Sequence, residues 1–148
     1  MSAIFSAQDV LGSITEFTVI VDERTTPCSL AFLVEIDGEH CETIFFSQRL
    51  ALILIFGTAS SAHEAPARIE AALCRSNNNV LEMFDGGKIA SPTVHVLKLG
   101  TFTEYRALKI KATITGTGQV KVPVVLWDYE AQERMLQRVE KVIVRQQS

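Results

Sequence analysis

The sequence lacks the features of secreted and membrane proteins. Its three cysteines form no closely spaced pair, and isolated thiols of this kind are typical of reduced cysteines in cytoplasmic proteins. The first residues lack the basic start and the long apolar core of a signal peptide. The longest apolar run, Leu50–Phe56, has seven residues, whereas a membrane-spanning helix needs about 20. We therefore expect a cytoplasmic protein that does not contact a membrane.

Motifs of catalysis and metal binding are missing as well. The chain has no G-x-S-x-G motif, no phosphate-binding loop that opens a helix, and no C-x-x-C or H-E-x-x-H spacing. His40 and Cys41 are neighbours, so a strand would direct them to opposite faces. We expect no catalytic residue, no metal and no cofactor. An enzyme with a scattered site is the less favoured hypothesis, and it would require a closed polar pocket lined by His95 or by paired carboxylates.

Several segments have the residue pattern of β-strands. Ile14–Val21 is rich in β-branched and aromatic residues, which favour strands. Ser29–Ile36 and Glu39–Ser47 flank Asp37-Gly38, and this dipeptide favours a two-residue hairpin turn. The sequence therefore predicts a first strand followed by a hairpin. Two shorter segments are further predicted strands: Val80–Phe84 and Thr93–Leu99.

The stretch Tyr105–Trp127 predicts two long strands around a glycine-rich turn. From Leu108 to Ile114, apolar residues alternate with lysine and threonine, which is the pattern of a half-buried strand. Gly116-Thr117-Gly118 supplies the turn. Pro123 lies in the second strand and cannot donate a ladder hydrogen bond, so we expect that strand to be at an edge or to be bulged.

Helical patterns are fewer. Pro66 suits the first position of a helix over Pro66–Arg75, and Asp128 suits the N-cap of a closing helix over Tyr129–Val144. Residues 3–12 form a short candidate helix, and Leu50–Phe56 fits a helix or a strand equally. The element order becomes β-β-β-α-β-β-β-β-α. This predicts a single α+β domain over residues 1–148, with a largely antiparallel sheet of six to seven strands and both helices packed on one face.

Charge is divided unevenly along the chain. Residues 1–75 contain ten acidic residues and four arginines, whereas residues 76–148 contain ten basic and seven acidic residues. Complementary fields of this kind favour recognition between protein surfaces. Together with an apolar content of 47%, the pattern indicates a non-enzymatic binding protein. We expect a small oligomeric adaptor or assembly component whose partner is another protein, itself, or both.

An alternative is a single-stranded nucleic-acid-binding protein. In the predicted strand pair, lysines and aromatic rings share one face, where lysines would contact phosphates and rings would stack on bases. The candidate residues are Tyr105, Lys109, Lys111, Lys121 and Trp127. The competing interpretation is a solvated strand face, because the net charge is −3 and aromatic residues make up only 7% of the chain.

Overall fold

One four-stranded sheet organises the part of the chain that the structure describes. The structure is a computed structural model, and it describes residues 3–36, 61–113 and 119–145. Its strands lie side by side in chain order: β1 (Ile14–Asp22), β2 (Ser29–Ile36), β3 (Ala90–Leu97) and β4 (Val139–Ile143). β2 and β3 are parallel, and the two outer pairs are antiparallel. The sheet is therefore mixed.

Helices surround this sheet within the described ranges. Two are short 3-10 helices, Ala3–Ala7 and Ser61–Glu64. The α-helices are α1 (Gln8–Leu11), α2 (Ala65–Ser76), α3 (Asn78–Asp85), α4 (Thr101–Ala112) and α5 (Tyr129–Leu136). Together they make an α+β architecture, as the sequence predicted.

Helices cover both faces of the sheet, and β2 has apolar side chains on each face. Phe32 packs on one face in a cluster with Ile69 of α2. Leu33 packs on the opposite face with Phe102 of α4 and Met135 of α5. Successive side chains of a strand leave opposite faces, so the nearly continuous apolar run of Ser29–Ile36 needs cover on each side. The predicted packing of helices on a single face is therefore wrong.

Several predicted elements are confirmed. β2 has the predicted bounds, and β1 extends one residue beyond the predicted Ile14–Val21. α2 begins at Ala65, one residue before the proline that favours a helix start. β3 corresponds to the predicted Thr93–Leu99, shifted toward the N-terminus. The predicted strand Glu39–Ser47, both predicted hairpin turns and the ambiguous Leu50–Phe56 lie outside the described residues.

The predicted strand from Leu108 to Ile114 is wrong, since residues up to Ala112 belong to the helix α4. The alternation of apolar residues and lysines was real, but the residue types are strong helix formers: Glu104, Arg106, Ala107, Leu108, Lys109, Lys111 and Ala112. Lys109 and Lys111 also lie in the last turn, where positive charge interacts favourably with the helix dipole. The helix propensity of these residues and the interaction of the lysines with the helix dipole therefore outweigh the alternating pattern that predicted a strand.

Two further segments adopt the opposite type of structure from the predicted one. The predicted strand Val80–Phe84 lies in α3, which begins where the Asn77 side chain accepts a hydrogen bond from the Asn79 backbone at 2.9 Å. The predicted helix Tyr129–Val144 ends at Leu136, and Val139–Ile143 forms β4. Val142 and Ile143 are β-branched and pair with β3, a contact that the local sequence does not reveal.

The predicted strand before Trp127 is mostly irregular extended chain. It meets the outer edge of β1 at one bridge, where Val19 donates to the Val124 carbonyl at 2.8 Å and accepts from the Leu126 amide at 2.9 Å. Thr18 donates its hydroxyl to the Pro123 carbonyl at 2.7 Å. The sheet in the described residues thus has four strands, and two of its three strand pairs are antiparallel. The predicted number of six to seven strands is therefore wrong.

None of the described helices is both long and apolar enough to cross a membrane.

Candidate functional site

A groove lies between α4 and α5 on the described surface. It encloses about 490 Å³, within the range of roughly 300–1,000 Å³ typical of small-molecule sites. α4 contributes Thr101, Glu104, Tyr105, Leu108, Lys109, Lys111 and Ala112. The segment around α5 contributes Asp128, Glu130, Ala131, Arg134, Met135 and Arg138. The lining therefore combines an apolar floor with a charged rim.

A buried carboxylate from the sheet fixes the start of α4. Gly100 precedes the helix in the left-handed conformation, at φ 86°, and offers no side-chain cap. Glu35, only 7% exposed at the end of β2, instead accepts the backbone N–H of Phe102 at 2.7 Å. A carboxylate at a helix N-terminus satisfies an otherwise unpaired N–H and interacts favourably with the dipole. The sheet therefore sets the position of one wall of the groove.

Two ion pairs connect the groove walls. Lys109 of α4 contacts Asp128 at 2.5 Å, and Glu104 of α4 contacts Arg138, which follows α5. Asp128 also accepts the Ala131 backbone N–H at 3.2 Å and so caps α5, as its position in the sequence predicted. The contacts lie near opposite ends of α4, so they hold the two helices antiparallel with the groove between them.

The Lys109–Asp128 contact changes the acidity of both groups. The hydrogen bond from Lys109, together with the Ala131 backbone N–H, lowers the pKa of Asp128 below its ordinary value. The same hydrogen bond to Asp128 raises the pKa of Lys109. The Lys109 ammonium also lies 5.7 Å from the centre of the Tyr105 ring, within cation–π range. Lys109 and Asp128 therefore both remain charged at neutral pH.

The structure brings together three of the five residues predicted for nucleic-acid binding. Tyr105, Lys109 and Lys111 line the groove, but they do so from a helix rather than from a strand face. Trp127 is 70% exposed and immediately precedes Asp128. Lys121 lies in the extended segment before it and does not line the groove. The shared strand face on which the nucleic-acid hypothesis depended does not exist in the described residues.

The groove also contains residues that sequence reasoning missed. Glu104, Arg134 and Arg138 line it from positions that carried no motif. A helical reading of residues 101–112 would have placed Glu104, Leu108 and Lys111 on neighbouring turns, because residues three or four apart lie next to each other on a helix. The hydrogen bond from Phe102 to Glu35 could not be predicted from the local sequence, because the two residues are 67 positions apart in the chain.

His95, the histidine considered for catalysis, lies outside the groove. It is 7% exposed on β3, and its Nε2 lies 3.1 Å from the Thr93 hydroxyl. Burial, followed by the nearby positive charge of Arg24, lowers its pKa. No carboxylate among the described residues forms a hydrogen bond with its other ring nitrogen, as a catalytic triad would require. No cluster of three metal-ligating side chains occurs among these residues either.

The geometry defines a class: an α+β domain built on a mixed four-stranded sheet, with a charged, apolar-floored groove between two helices. The model of the GH3 family C-terminal domain matches residues 1–130. The chain therefore belongs to the GH3 C-terminal domain family.

Solved structures show the same fold. A GH3.15 acyl acid amido synthetase matches 98% of this chain with a TM-score of 0.75 at 17% identity. A structure of the AtGH3.15 acyl acid amido synthetase in complex with 2,4-DB matches 98% with a TM-score of 0.76 at 16% identity. The chain spans 24% of the length of each of these proteins. A search of curated protein sequences found no match.

These matches correct the function predicted from the sequence. The hypothesis of a non-enzymatic oligomeric adaptor is wrong, and so is its nucleic-acid-binding alternative, because the family and the structural relatives associate this domain with an enzyme. The sequence did not predict this association because none of the catalytic motifs tested above occurs in it.

Proposed function

We propose that this chain acts as the C-terminal domain of an enzyme that joins an acyl acid to an amine through an amide bond. The observation that carries the proposal is the match of residues 1–130 to the GH3 C-terminal domain, supported by a common fold over 98% of the chain. The chain corresponds to about a quarter of the structural relatives. We therefore assign it an accessory role beside a larger catalytic body.

The exposed surface beside the groove supports this role. Leu108, in the C-terminal half of α4, lines the groove and is 36% exposed. Trp127 and Tyr129, on either side of Asp128, are 70% and 72% exposed. Large apolar side chains grouped beside a groove are typical of surfaces that meet another protein body. Ligand sites also occur preferentially where two domains meet, so we assign the groove side to the contact with the catalytic body.

A domain exchange tests the proposal. The matching segment of the GH3.15 acyl acid amido synthetase is replaced by this whole chain. Amide formation from 2,4-DB and a panel of amines, with a nucleoside triphosphate present to activate the carboxylate, is followed by mass spectrometry. The expected result is amide formation above that of a truncated synthetase lacking the segment. This chain alone should form no amide.

Two controls make the result interpretable. The synthetase with its own segment restored gives the full rate, and circular dichroism establishes that the exchanged protein is folded. A chimera that carries Trp127→Asp and Tyr129→Asp should lose the gain, because charges would be buried at the contact. A folded chimera that is no more active than the truncated synthetase would contradict the proposal.

A further inference from the structure

The chain exposes its single tryptophan at a place where the neighbouring residues are held. Trp127 is the one tryptophan of the sequence, and it is 70% exposed, although tryptophan is highly buried on average in folded proteins. The residue before it, Leu126, is only 1% exposed and packs in the cluster that contains Met135. The residue after it, Asp128, caps α5 and contacts Lys109. An exposed ring therefore stands between two anchored residues.

Hydrogen bonds of the adjoining backbone hold this segment in place. The Leu126 amide donates to the Val19 carbonyl of β1 at 2.9 Å. The Leu126 carbonyl accepts the side-chain amide of the buried Gln132 in α5 at 2.6 Å. The Trp127 side chain therefore moves mainly about its own two torsion angles, so little conformational entropy is lost when a partner covers the ring. Tryptophan is also among the residues that most often form the hot spots of protein interfaces.

The surroundings of the ring combine apolar surface with a matched charge. Val124 and Tyr129 are 65% and 72% exposed, so they extend the apolar surface on either side of Trp127 along the chain. Asp128 is the one charged residue from position 124 to position 129, and the Lys109 ammonium lies 2.5 Å from its carboxylate. A partner can therefore cover the ring without burying an unpaired charge, which would be strongly unfavourable.

From these features we propose that Trp127 is the anchor of the contact with the catalytic body, and that its indole inserts into an apolar pocket of that body. Trp127 does not line the groove between α4 and α5, so the anchor is distinct from any ligand in the groove. Because buried indole N–H groups form hydrogen bonds, the pocket also contains a hydrogen-bond acceptor. The anchor rests on the proposed function, since the pocket belongs to the catalytic body.

Fluorine NMR measures the burial of the ring directly. Labelled with 5-fluorotryptophan, the free chain gives one signal, because it has one tryptophan. We expect this signal to shift between H₂O and D₂O, as it does for a ring in contact with water. In the chimera with the GH3.15 synthetase, the Trp127 signal is the one that is missing from a Trp127→Phe variant. It should lose its solvent isotope shift, because the pocket excludes water from the ring.

Substitutions measure how much the ring contributes to amide formation by the chimera. Trp127→Ala should lower the rate about tenfold or more, as truncation of an interface hot spot does. Trp127→Phe should give a smaller loss, because it keeps an aromatic ring and removes the N–H. Leu99→Ala is the matched control and should leave the rate unchanged. Leu99 is 60% exposed but precedes α4, about 15 Å along the helix from its last turn, where Lys109 contacts Asp128.

The free chain distinguishes an anchor from a structural role. Trp127→Ala should leave its urea unfolding midpoint unchanged, because substitution of an exposed side chain has little effect on stability. A clearly lower midpoint would assign the ring a structural role and overturn the anchor.

Three results with the chimera would also overturn the anchor. These are a Trp127 signal that keeps its solvent isotope shift in the folded chimera, a Trp127→Ala chimera as active as the original, and equal losses from Trp127→Ala and Leu99→Ala. Any of them in an active chimera leaves the proposed function in place. A folded chimera that forms no amide contradicts the proposed function instead, and its fluorine signal still decides whether Trp127 is buried.

Discussion

Glu35 at the end of β2 accepts the backbone N–H of Phe102 at the start of α4, with 2.7 Å between Oε1 and the nitrogen. Both side chains are buried, at 7% and 0% exposure. The contact joins the central part of the sheet to the helix that forms one wall of the groove. It replaces the local N-cap that Gly100 does not provide.

Removal of this carboxylate is expected to destabilise the domain. Glu35→Ala leaves a buried N–H without a partner, which costs about 1–3 kcal/mol of the free energy of unfolding. Glu35→Gln keeps an acceptor oxygen but loses the charge near the helix N-terminus, so its cost is about 1 kcal/mol. Urea unfolding followed by circular dichroism measures both. Glu23→Ala, at an exposed position, is the control, and a Glu35→Ala variant as stable as this control would contradict the assigned cap.

The helical state of residues 101–112 has a direct test at Ala107, which is exposed in α4. In a helix, Ala107→Gly costs about 1 kcal/mol and Ala107→Val about 0.5 kcal/mol. In a strand, valine would be favoured over alanine. We therefore expect both variants to be less stable than the original in urea unfolding. The same substitutions at Ala71, exposed in α2, give the reference pattern. A stabilising Ala107→Val would show that the segment is a strand.

The burial of His95 predicts a pH-dependent stability. Its surroundings include Thr93 on its own strand and the Asp22–Arg24 ion pair at the end of β1. Because burial and Arg24 lower the pKa of His95 from 6.5, the folded chain binds this proton less readily than the unfolded chain. The free energy of unfolding is therefore highest, as far as His95 is concerned, above about pH 6.5. It decreases as the pH falls from 6.5 to the lower pKa that His95 has in the folded chain.

Thermal unfolding between pH 7.5 and pH 5 measures this dependence. His95→Asn should flatten the profile in this window, because the titrating group is gone. Asp22→Asn should steepen it, because Asp22 raises the His95 pKa and its removal leaves the positive charge of Arg24 unbalanced. A His95→Asn profile as steep as that of the original chain would assign the dependence to other groups.

Some local patterns in the sequence predicted the observed structure, and others predicted the opposite type of element. Ser29–Ile36 was predicted with its observed bounds, because a long apolar run of β-branched and aromatic residues is suited to a central strand. Asp128 was predicted as a cap, because capping needs only a short polar side chain at the right position. By contrast, Leu108–Ala112 alternates like a strand and folds as a helix, and Val139–Ile143 follows a helical stripe and folds as a strand.

The site was predicted only in part, for a related reason. Tyr105, Lys109 and Lys111 were selected as neighbours on a strand, and they lie in one groove because they are neighbours on a helix. Trp127 lies near the groove because it immediately precedes Asp128, the N-cap of α5. Lys121 does not line the groove. Their partners Glu104 and Arg138 were missed, because an ion pair between two helices depends on how the helices pack. No residue pattern along the chain records that packing.

The sequence by itself determined the α+β class, the central strand β2, the start of α2 and the cap of α5, since each depends on residues close together in the chain. Only the tertiary structure decided the parallel pairing of β2 with β3, the strand state of β4 and the groove. These depend on contacts between distant residues, such as Val94 with Ile143 and Glu35 with Phe102. Where local preferences are weak, the free energy of such contacts selects between helix and strand.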